Sequence, residues 1–103
     1  MNLTYSTNIV IFGGGIAGLW LLNRLQSEGY DSILFETNTL GGKQTVDSQG
    51  IIHGGLKYAL KGSMGRDSQN IANMPSRWRQ CLSGGGEIDL TDVGVLNENY
   101  YMW

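Results

Sequence analysis

A short apolar run near the start of the chain is the clearest feature of the hydrophobic pattern. Residues 8–12 read Asn-Ile-Val-Ile-Phe, and such a β-branched run is typical of a strand buried on both faces of a parallel sheet. After a glycine-rich turn, positions 18, 21, 22 and 25 are glycine or leucine with helical spacing, which predicts a helix packed on that sheet. Gly29 is well placed to end this helix, and residues 32–35 predict a second strand. The pattern therefore predicts a strand–helix–strand unit.

The region from residue 67 to residue 82 carries a second helical pattern. Apolar side chains recur at positions 71, 74, 78, 81 and 82, which predicts an amphipathic helix. Pro75 either opens a shorter helix or kinks a longer one, because it has no amide hydrogen. Cys81 lies on the apolar stripe and is expected to be buried, whereas Arg77 and Arg79 point away from it and are expected to be solvated.

The segments on either side of this region predict a loop and two strands. Residues 40–55 are too rich in glycine and small polar residues for a regular element, which favours a long functional loop. A loop leaving the second strand emerges at the sheet edge where open α/β proteins bind ligands. Residues 87–90 and 93–96 alternate between polar and apolar, which predicts two short strands. The apolar end at residues 100–103 suggests that the chain is cut short.

Composition narrows the class of protein. The 103 residues include 16 glycines and one cysteine, and the net charge is −2. Clustered basic residues are lacking, so neither nucleic acid nor an anionic membrane surface is expected as a partner. One cysteine allows no intrachain disulfide and suggests no metal site. Since no signal peptide or long apolar segment is visible, we expect a soluble, cytoplasmic protein without a transmembrane segment.

The candidate chemistry begins with a glycine motif between the first strand and the first helix. Residues 13–18 read Gly-Gly-Gly-Ile-Ala-Gly and fit G-x-G-x-x-G. In this motif Gly13 allows the tight turn, Gly15 lets the backbone approach a diphosphate, and Gly18 lets the helix pack closely on the strand. The unpaired amides and the helix dipole at the start of the helix then stabilise the negative charge of that diphosphate. The motif predicts a dinucleotide site.

An acidic residue at the end of the second strand agrees with this prediction. Glu36 lies 21 positions beyond Gly15, close to the spacing of about 20 expected for the acid that accepts hydrogen bonds from an adenosine ribose. A carboxylate there disfavours a 2′-phosphorylated cofactor such as NADP. Taken alone, Glu36 is better explained as a solvated residue at the end of a strand.

The order of these residues resembles a known family. The glycine motif and Glu36 are followed by Ser48-Gln49-Gly50-Ile51-Ile52-His53-Gly54-Gly55-Leu56-Lys57-Tyr58. Together they are similar to the amino-terminal part of FAD-dependent oxidoreductases, with D-amino-acid oxidase and glycerol-3-phosphate dehydrogenase as the closest types. In the latter the last segment typically reads S-S-K-L-I-H-G-G-L-R-Y. The chain departs from the family at Lys43-Gln44-Thr45, where relatives often carry Gly, Ser and Thr.

The resemblance implies a fold and a set of binding residues. The fold would be of the α/β class, a Rossmann-like FAD-binding βαβ unit truncated before the substrate domain is complete. Residues 1–83 would bind FAD, with the loop at 40–58 beside the flavin, and residues 84–103 would begin the substrate domain. The residues implied to contact FAD are Gly13, Gly14, Gly15, Ile16, Ala17 and Gly18 at the diphosphate, Glu36 at the ribose, Thr45 at the phosphates or ribityl chain, and Gln49, Gly50 and His53 at the flavin.

The function that the resemblance implies is oxidation of a small molecule. The complete protein would transfer hydride equivalents from an amine, a hydroxy acid or a polyol phosphate to FAD, while the fragment alone would be nearly inactive. Within this chain we identify no catalytic acid or base. Two alternatives are a stand-alone module for NAD or another adenine nucleotide, and an inactive truncated fragment. The lone His53 is also compatible with a purely structural role.

Overall fold

The computed structural model describes residues 2–48, 50–54 and 66–99, without the side chains of residues 67 and 68. By their contacts the residues form two compact units, residues 1–49 and residues 50–103. The first contains the elements that carry the glycine motif and Glu36. The domain division at residues 83 and 84, inferred from the resemblance, stays a prediction.

The first unit is a parallel βαβ unit. Strand β1 (Ile9–Phe12) leads into helix α1 (Ile16–Ser27), which returns the chain to strand β2 (Ser32–Phe35). The strands pair in parallel, with Ile9 opposite Ser32 and Phe12 opposite Phe35. This architecture confirms the predicted α/β class and the order of the three elements.

The sheet of the first unit is covered on one face. Ile11 and Ser32 lie on the face that packs against α1 and are only 8% and 6% exposed. On the opposite face Phe12 and Phe35 stack with ring centroids 6.0 Å apart, yet both rings remain exposed. The prediction that β1 is buried on both faces is therefore wrong for the described residues, because α1 alone supplies a covering layer.

Gly29 ends α1 as the sequence predicts. Its φ of +87° is left-handed, a conformation that glycine adopts without steric cost. The amide of Gly29 donates to the carbonyl of Gln26, and the amide of Tyr30 donates to the carbonyl of Leu25, at 3.1 and 3.0 Å. This pair of bonds is the Schellman arrangement, which satisfies carbonyls left open at the helix end.

The predicted loop after β2 contains a regular turn of helix. Helix α2 (Gln44–Asp47) follows Lys43. The Asp47 amide donates to the Lys43 carbonyl at 2.9 Å, and the Ser48 hydroxyl donates to the Thr45 carbonyl at 3.0 Å. The expectation of a loop without regular elements is thus wrong at these four residues, because local polar groups close one helical turn despite the neighbouring glycines.

The second unit contains two short helices where one amphipathic pattern was recognised. Helix α3 (Arg66–Ala72) ends before Asn73, and helix α4 (Met74–Leu82) follows at once. Pro75 lies in the first turn of α4, where its missing amide hydrogen costs no helical bond. Of the two alternatives for Pro75, that it opens a shorter helix is therefore correct and that it kinks a longer one is not. Cys81 is fully buried, as expected.

The segment after α4 forms turns, contrary to the prediction of two strands. No strand is present among residues 84–99. The Asp89 carboxylate accepts from the Thr91 amide at 2.9 Å, and the Val93 amide donates to the Leu90 carbonyl at 3.0 Å. These local bonds use backbone groups that a strand would direct to a neighbour.

One arginine of α4 also departs from expectation. Arg77 was expected to be solvated only, but its guanidinium makes a two-point ion pair with Glu87, including an Nη2–Oε2 contact of 3.1 Å. The Arg77 side chain remains about half exposed, so the pair ties the turn segment to α4 without adding much stability.

Replacing Ser32 by alanine is expected to stabilise the first unit. The Ser32 hydroxyl is buried under α1 and has no hydrogen-bond partner among the described residues, and an unsatisfied buried hydroxyl costs about 1 kcal/mol or more. We expect Ser32→Ala to raise the free energy of unfolding by about 1 kcal/mol, measured by urea denaturation. Ser83→Ala, on an exposed hydroxyl at the end of α4, is the control. Equal or lower stability of Ser32→Ala would show that the hydroxyl is satisfied.

Candidate functional site

The glycine turn lies between the end of β1 and the start of α1. Gly13 has a φ of +110°, which side chains other than glycine rarely tolerate. Its amide donates to the Phe35 carbonyl at 2.8 Å, so the turn begins while the chain is still bonded to β2. The turn is therefore fixed at the carboxyl edge of the sheet.

Gly18 allows the close contact between α1 and β1. A Cβ atom at this position would overlap the carbonyl oxygen of Gly13 and would lie 3.4 Å from Cδ1 of Leu34. The helix consequently starts directly against the strand that precedes it. This is the packing role that the motif predicts for its last glycine.

Gly15 differs from Gly18, because the surrounding protein leaves room for a side chain. A Cβ atom on Gly15 would meet Thr45 Oγ1 at 3.4 Å, an ordinary contact. Its φ of −78° is also open to any residue. Nothing in the described protein thus requires glycine here, which is the expected situation where the backbone must approach a ligand.

The first turn of α1 presents backbone donors at this same place. The Ile16 amide donates to Thr45 Oγ1 at 3.1 Å. Among the described residues, no acceptor is found for the amides of Gly15, Ala17 and Gly18. Amides at a helix start point along the axis toward the positive end of the helix dipole, where anions bind.

Glu36 lies beside this turn. Its Oε1 accepts from the Gly14 amide at 3.3 Å, and its Oε2 accepts from the Thr37 amide at 2.7 Å. These bonds, with that from Thr37 as the larger cause, lower the pKa of Glu36 below its ordinary value, and the charge of Lys43 adds to the effect. The group is therefore a carboxylate at neutral pH, next to the amides of the glycine turn.

Residues 40–45, which we call the clasp segment, hold the turn from the outside. The Gly41 amide donates to the Gly14 carbonyl at 2.7 Å. Leu40 packs so closely that its Cδ2 would lie 2.7 Å from a Cβ on Gly14. Sequence reasoning recognised Thr45 here but missed Leu40 and Gly41. The pair Gly41-Gly42 was a usable signal, because Gly41 has a φ of +69°.

Lys43 holds an unusual backbone conformation at the start of α2. Its φ is +54° and its ψ is −126°, and it is the one residue other than glycine with positive φ among the described residues. An L side chain there is sterically strained. The position is the one where members of the resembled family often carry glycine.

Three predicted residues, Gln49, Gly50 and His53, lie outside the part of the first unit that the structure describes. Gly50 has a φ of +66°, and both Gly50 and His53 are exposed. They belong to the second unit, and Gln49 lies outside the described residues. The structure thus brings together the glycine motif, Glu36 and Thr45, while the flavin contacts implied for Gln49, Gly50 and His53 stay predictions.

Other kinds of site are not visible in the described part of the chain. No group of three or more histidine, cysteine or acidic side chains is arranged to hold a metal ion. None of the described helices has the length and apolar character needed to cross a membrane.

Comparison with known proteins decides the family. Residues 8–98 match the family model described as FAD dependent oxidoreductase. The chain belongs to this family. It is 57% identical over all 103 residues to a probable FAD-dependent oxidoreductase from Pseudomonas aeruginosa, of which it covers 26%. The crystal structure of that oxidoreductase superimposes with a TM-score of 0.81 and 52% identity, covering 95% of this chain and 24% of the other.

Membership of the family agrees with the interpretation of the sequence. The chain spans about a quarter of the length of this relative. The resemblance to FAD-dependent oxidoreductases is thereby confirmed, and so is the Rossmann-like fold of the first unit. The family description names FAD, the cofactor that the sequence predicts.

Alanine substitutions at Gly15 and Gly18 are expected to differ in their effect on stability. Gly18→Ala forces α1 away from β1, and we expect a loss of about 3 kcal/mol in the free energy of unfolding. Gly15→Ala meets only an ordinary contact, and we expect a change within about 0.5 kcal/mol. Chemical denaturation of both variants measures the difference. Equal losses would contradict the close helix–strand contact at Gly18.

Replacing Lys43 by glycine is expected to relieve strain in the clasp segment. We expect Lys43→Gly to raise the free energy of unfolding by about 1 kcal/mol, the usual cost of a left-handed L residue. Lys43→Ala is the matched control, since it removes the same charge but keeps the Cβ atom. A gain in both variants would assign the effect to charge rather than to backbone strain.

Proposed function

We propose that this chain binds the adenosine diphosphate half of FAD, as part of a flavin-dependent oxidoreductase. The observation that carries the proposal is the hydrogen bond between the Gly14 amide and the Glu36 carboxylate. It joins the two elements that a dinucleotide needs, the diphosphate turn and the ribose acceptor. The family and the relative from Pseudomonas aeruginosa support FAD rather than another dinucleotide.

The residues of the glycine turn suit a diphosphate. The outward amides of Gly15 and Ala17 offer donors to phosphate oxygens, and the bare Cα of Gly15 lets those oxygens come close. Thr45 adds a hydroxyl: since its oxygen accepts from the Ile16 amide, its proton is available to a phosphate oxygen. The diphosphate would thus be held by neutral donors and a helix dipole, without a basic side chain.

The position of Glu36 suits an unmodified ribose. A carboxylate accepts from both hydroxyls of a ribose, whereas a 2′-phosphate would place two negative groups within hydrogen-bond distance. The pKa of Glu36 is lowered chiefly by the Thr37 and Gly14 amides, and the nearby cation Lys43 contributes least to that shift. The site is therefore proposed to prefer FAD or NAD over NADP.

The flavin end of the site is the less constrained part of the proposal. Gln49, Gly50 and His53 are proposed to lie along the flavin, with His53 adjusting the electrostatics of the ring. When bound, the flavin accepts a hydride equivalent from a C–H bond of the substrate. This chain's residues would anchor the adenosine end so that the ring is held in one position.

The substrate belongs to the same proposal. We propose that the complete protein oxidises a small amine, hydroxy acid or polyol phosphate in the cytosol. The support is the resemblance of the segment from Ser48 to Tyr58 to the corresponding segment of enzymes of these types. Since the chain covers only about a quarter of its relative, the substrate pocket is proposed to lie in sequence that this chain lacks.

Ligand binding by the purified chain tests the proposal directly. We expect FAD to stay with the protein during size-exclusion chromatography and to be displaced by ADP, because both share the anchored half. FMN, which lacks that half, is expected neither to bind nor to compete. Binding of NAD with no binding of FAD would favour the nucleotide module, and binding of neither would favour the inactive fragment.

A glycine substitution separates binding from folding. Gly15→Ala places a methyl group where the diphosphate must approach, so we expect the affinity for FAD and for ADP to fall at least about tenfold, or about 1.4 kcal/mol. Isothermal titration calorimetry measures both affinities. Gly94→Ala is the control, because a Cβ atom on Gly94 meets no atom within 4 Å. Unchanged affinity in Gly15→Ala would contradict diphosphate binding at the turn.

A further inference from the structure

The Glu36 carboxylate connects two stretches of backbone that are distant in sequence. Through Oε1 it holds the Gly14 amide in the turn after β1, and through Oε2 it holds the Thr37 amide in the turn after β2. A ribose acceptor needs neither bond. The carboxylate therefore joins two turns of the protein even without a bound ligand.

The other bonds of Gly14 show what this contact contributes. The Gly14 carbonyl accepts from the Gly41 amide at 2.7 Å, and the Gly14 Cα is covered by Leu40 and by the methylenes of Glu36. Both polar groups of this peptide are thus satisfied, and the residue is buried. Without the carboxylate, the Gly14 amide would lose its acceptor at a buried position, which is unfavourable for a backbone donor.

Counting acceptor sites shows that both roles fit one side chain. A carboxylate offers about four lone-pair sites on its two oxygens. The Gly14 amide uses one site on Oε1, and both the amide and the hydroxyl of Thr37 bond to Oε2, which leaves at most one site, on Oε1, for a ligand hydroxyl. A glutamine in the same orientation would turn its NH2 group, which is a donor, toward one of the two amides, so that amide would lose its acceptor.

We propose that Glu36 is a positioning residue for the diphosphate-binding turn, in addition to its proposed contact with ribose. By holding the Gly14 amide it fixes the turn so that the next amides, those of Gly15 and Ala17, face one point. The effect of Glu36 on diphosphate binding rests on the proposed function. The link between Glu36 and the turn is independent of that function.

The link is expected to respond to pH in a defined direction. The pKa of Glu36 is lowered by the amides it accepts from, and the charged side chain acting on it from the surrounding described residues is Lys43. The glycine turn itself has no titratable side chain. Because the folded pKa is lowered, both bonds persist at neutral pH and are lost only as the pH falls through that lowered value.

Amide NMR of the ¹⁵N-labelled chain tests the link without any ligand. On lowering the pH from 7 to 3, we expect the Gly14 and Thr37 amide protons to shift together, with one common midpoint below the ordinary glutamate value. The Thr91 amide, which donates to Asp89, reports a different carboxylate and serves as the internal control. A Gly14 amide that does not titrate while the Thr37 amide does would overturn the proposal.

The Glu36→Gln variant adds a second measurement. Its Gly14 and Thr37 amides should no longer titrate, whereas that of Thr91 should titrate as before. If Glu36→Gln does not fold, the titration of the unsubstituted chain decides. A Gly14 shift that persists in folded Glu36→Gln would assign the titration to another group and overturn the proposal.

A ligand without ribose separates this role from ribose recognition. Inorganic pyrophosphate is the probe, measured by calorimetry against the original chain and Glu36→Gln. We expect at least about fivefold weaker binding to the variant, about 1 kcal/mol. If Glu36 served the ribose alone, removal of its negative charge would leave pyrophosphate binding equal or stronger, which would overturn the positioning role. If pyrophosphate binds neither protein while the amides titrate as expected, diphosphate binding fails and the structural link stands.

Discussion

The close approach of a helix to the strand that precedes it is the constraint on which the first unit depends. At Gly18 the start of α1 lies against the Gly13 carbonyl, with no room for even one carbon atom between them. This contact sets the direction in which the helix leaves the sheet and thereby the place at which its first amides point. It also brings the helix over Ile11 and Ser32, the buried side chains of the sheet.

Backbone groups, more than side chains, build the candidate site. The hydrogen-bond donors of the site are peptide amides of the glycine turn and of the first turn of α1. The neighbouring residues hydrogen-bond to the backbone of these same turns. Glu36 accepts from the Gly14 amide, Thr45 accepts from the Ile16 amide, and the Gly41 amide donates to the Gly14 carbonyl. Such an arrangement explains why an acidic chain with no basic residue in its glycine motif is compatible with a polyanionic ligand.

The two faces of the β1–β2 sheet differ in how they are covered. Helix α1 packs on one face, where Ile11 and Ser32 are buried. On the other face Phe12 and Phe35 stack on each other but remain 84% and 55% exposed. In open α/β proteins both faces of such a sheet are covered by helices, which is the arrangement that the apolar run of β1 suits.

The βαβ unit, the glycine turn and the end of α1 can all be predicted from the amino-acid sequence. These follow from local rules: apolar periodicity, the need for glycine at positive φ, and the geometry of a helix end, as Gly29 and its Schellman bonds illustrate. The sequence also indicates the family, because I-H-G-G-L-K-Y, which follows the glycine motif and Glu36, is much more specific than the glycine motif alone. At Pro75 the sequence permits two alternatives, a shorter helix or a kinked longer one.

Which groups meet is visible only in the folded chain. The bond of Glu36 to the Gly14 amide, the contacts of the clasp segment with the turn, and the pairing of Arg77 with Glu87 join residues 10 to 29 positions apart. The prediction of two strands, at residues 87–90 and 93–96, is wrong for the same reason. A strand needs a partner that periodicity does not supply, so the local bonds of Asp89 and Leu90 prevailed.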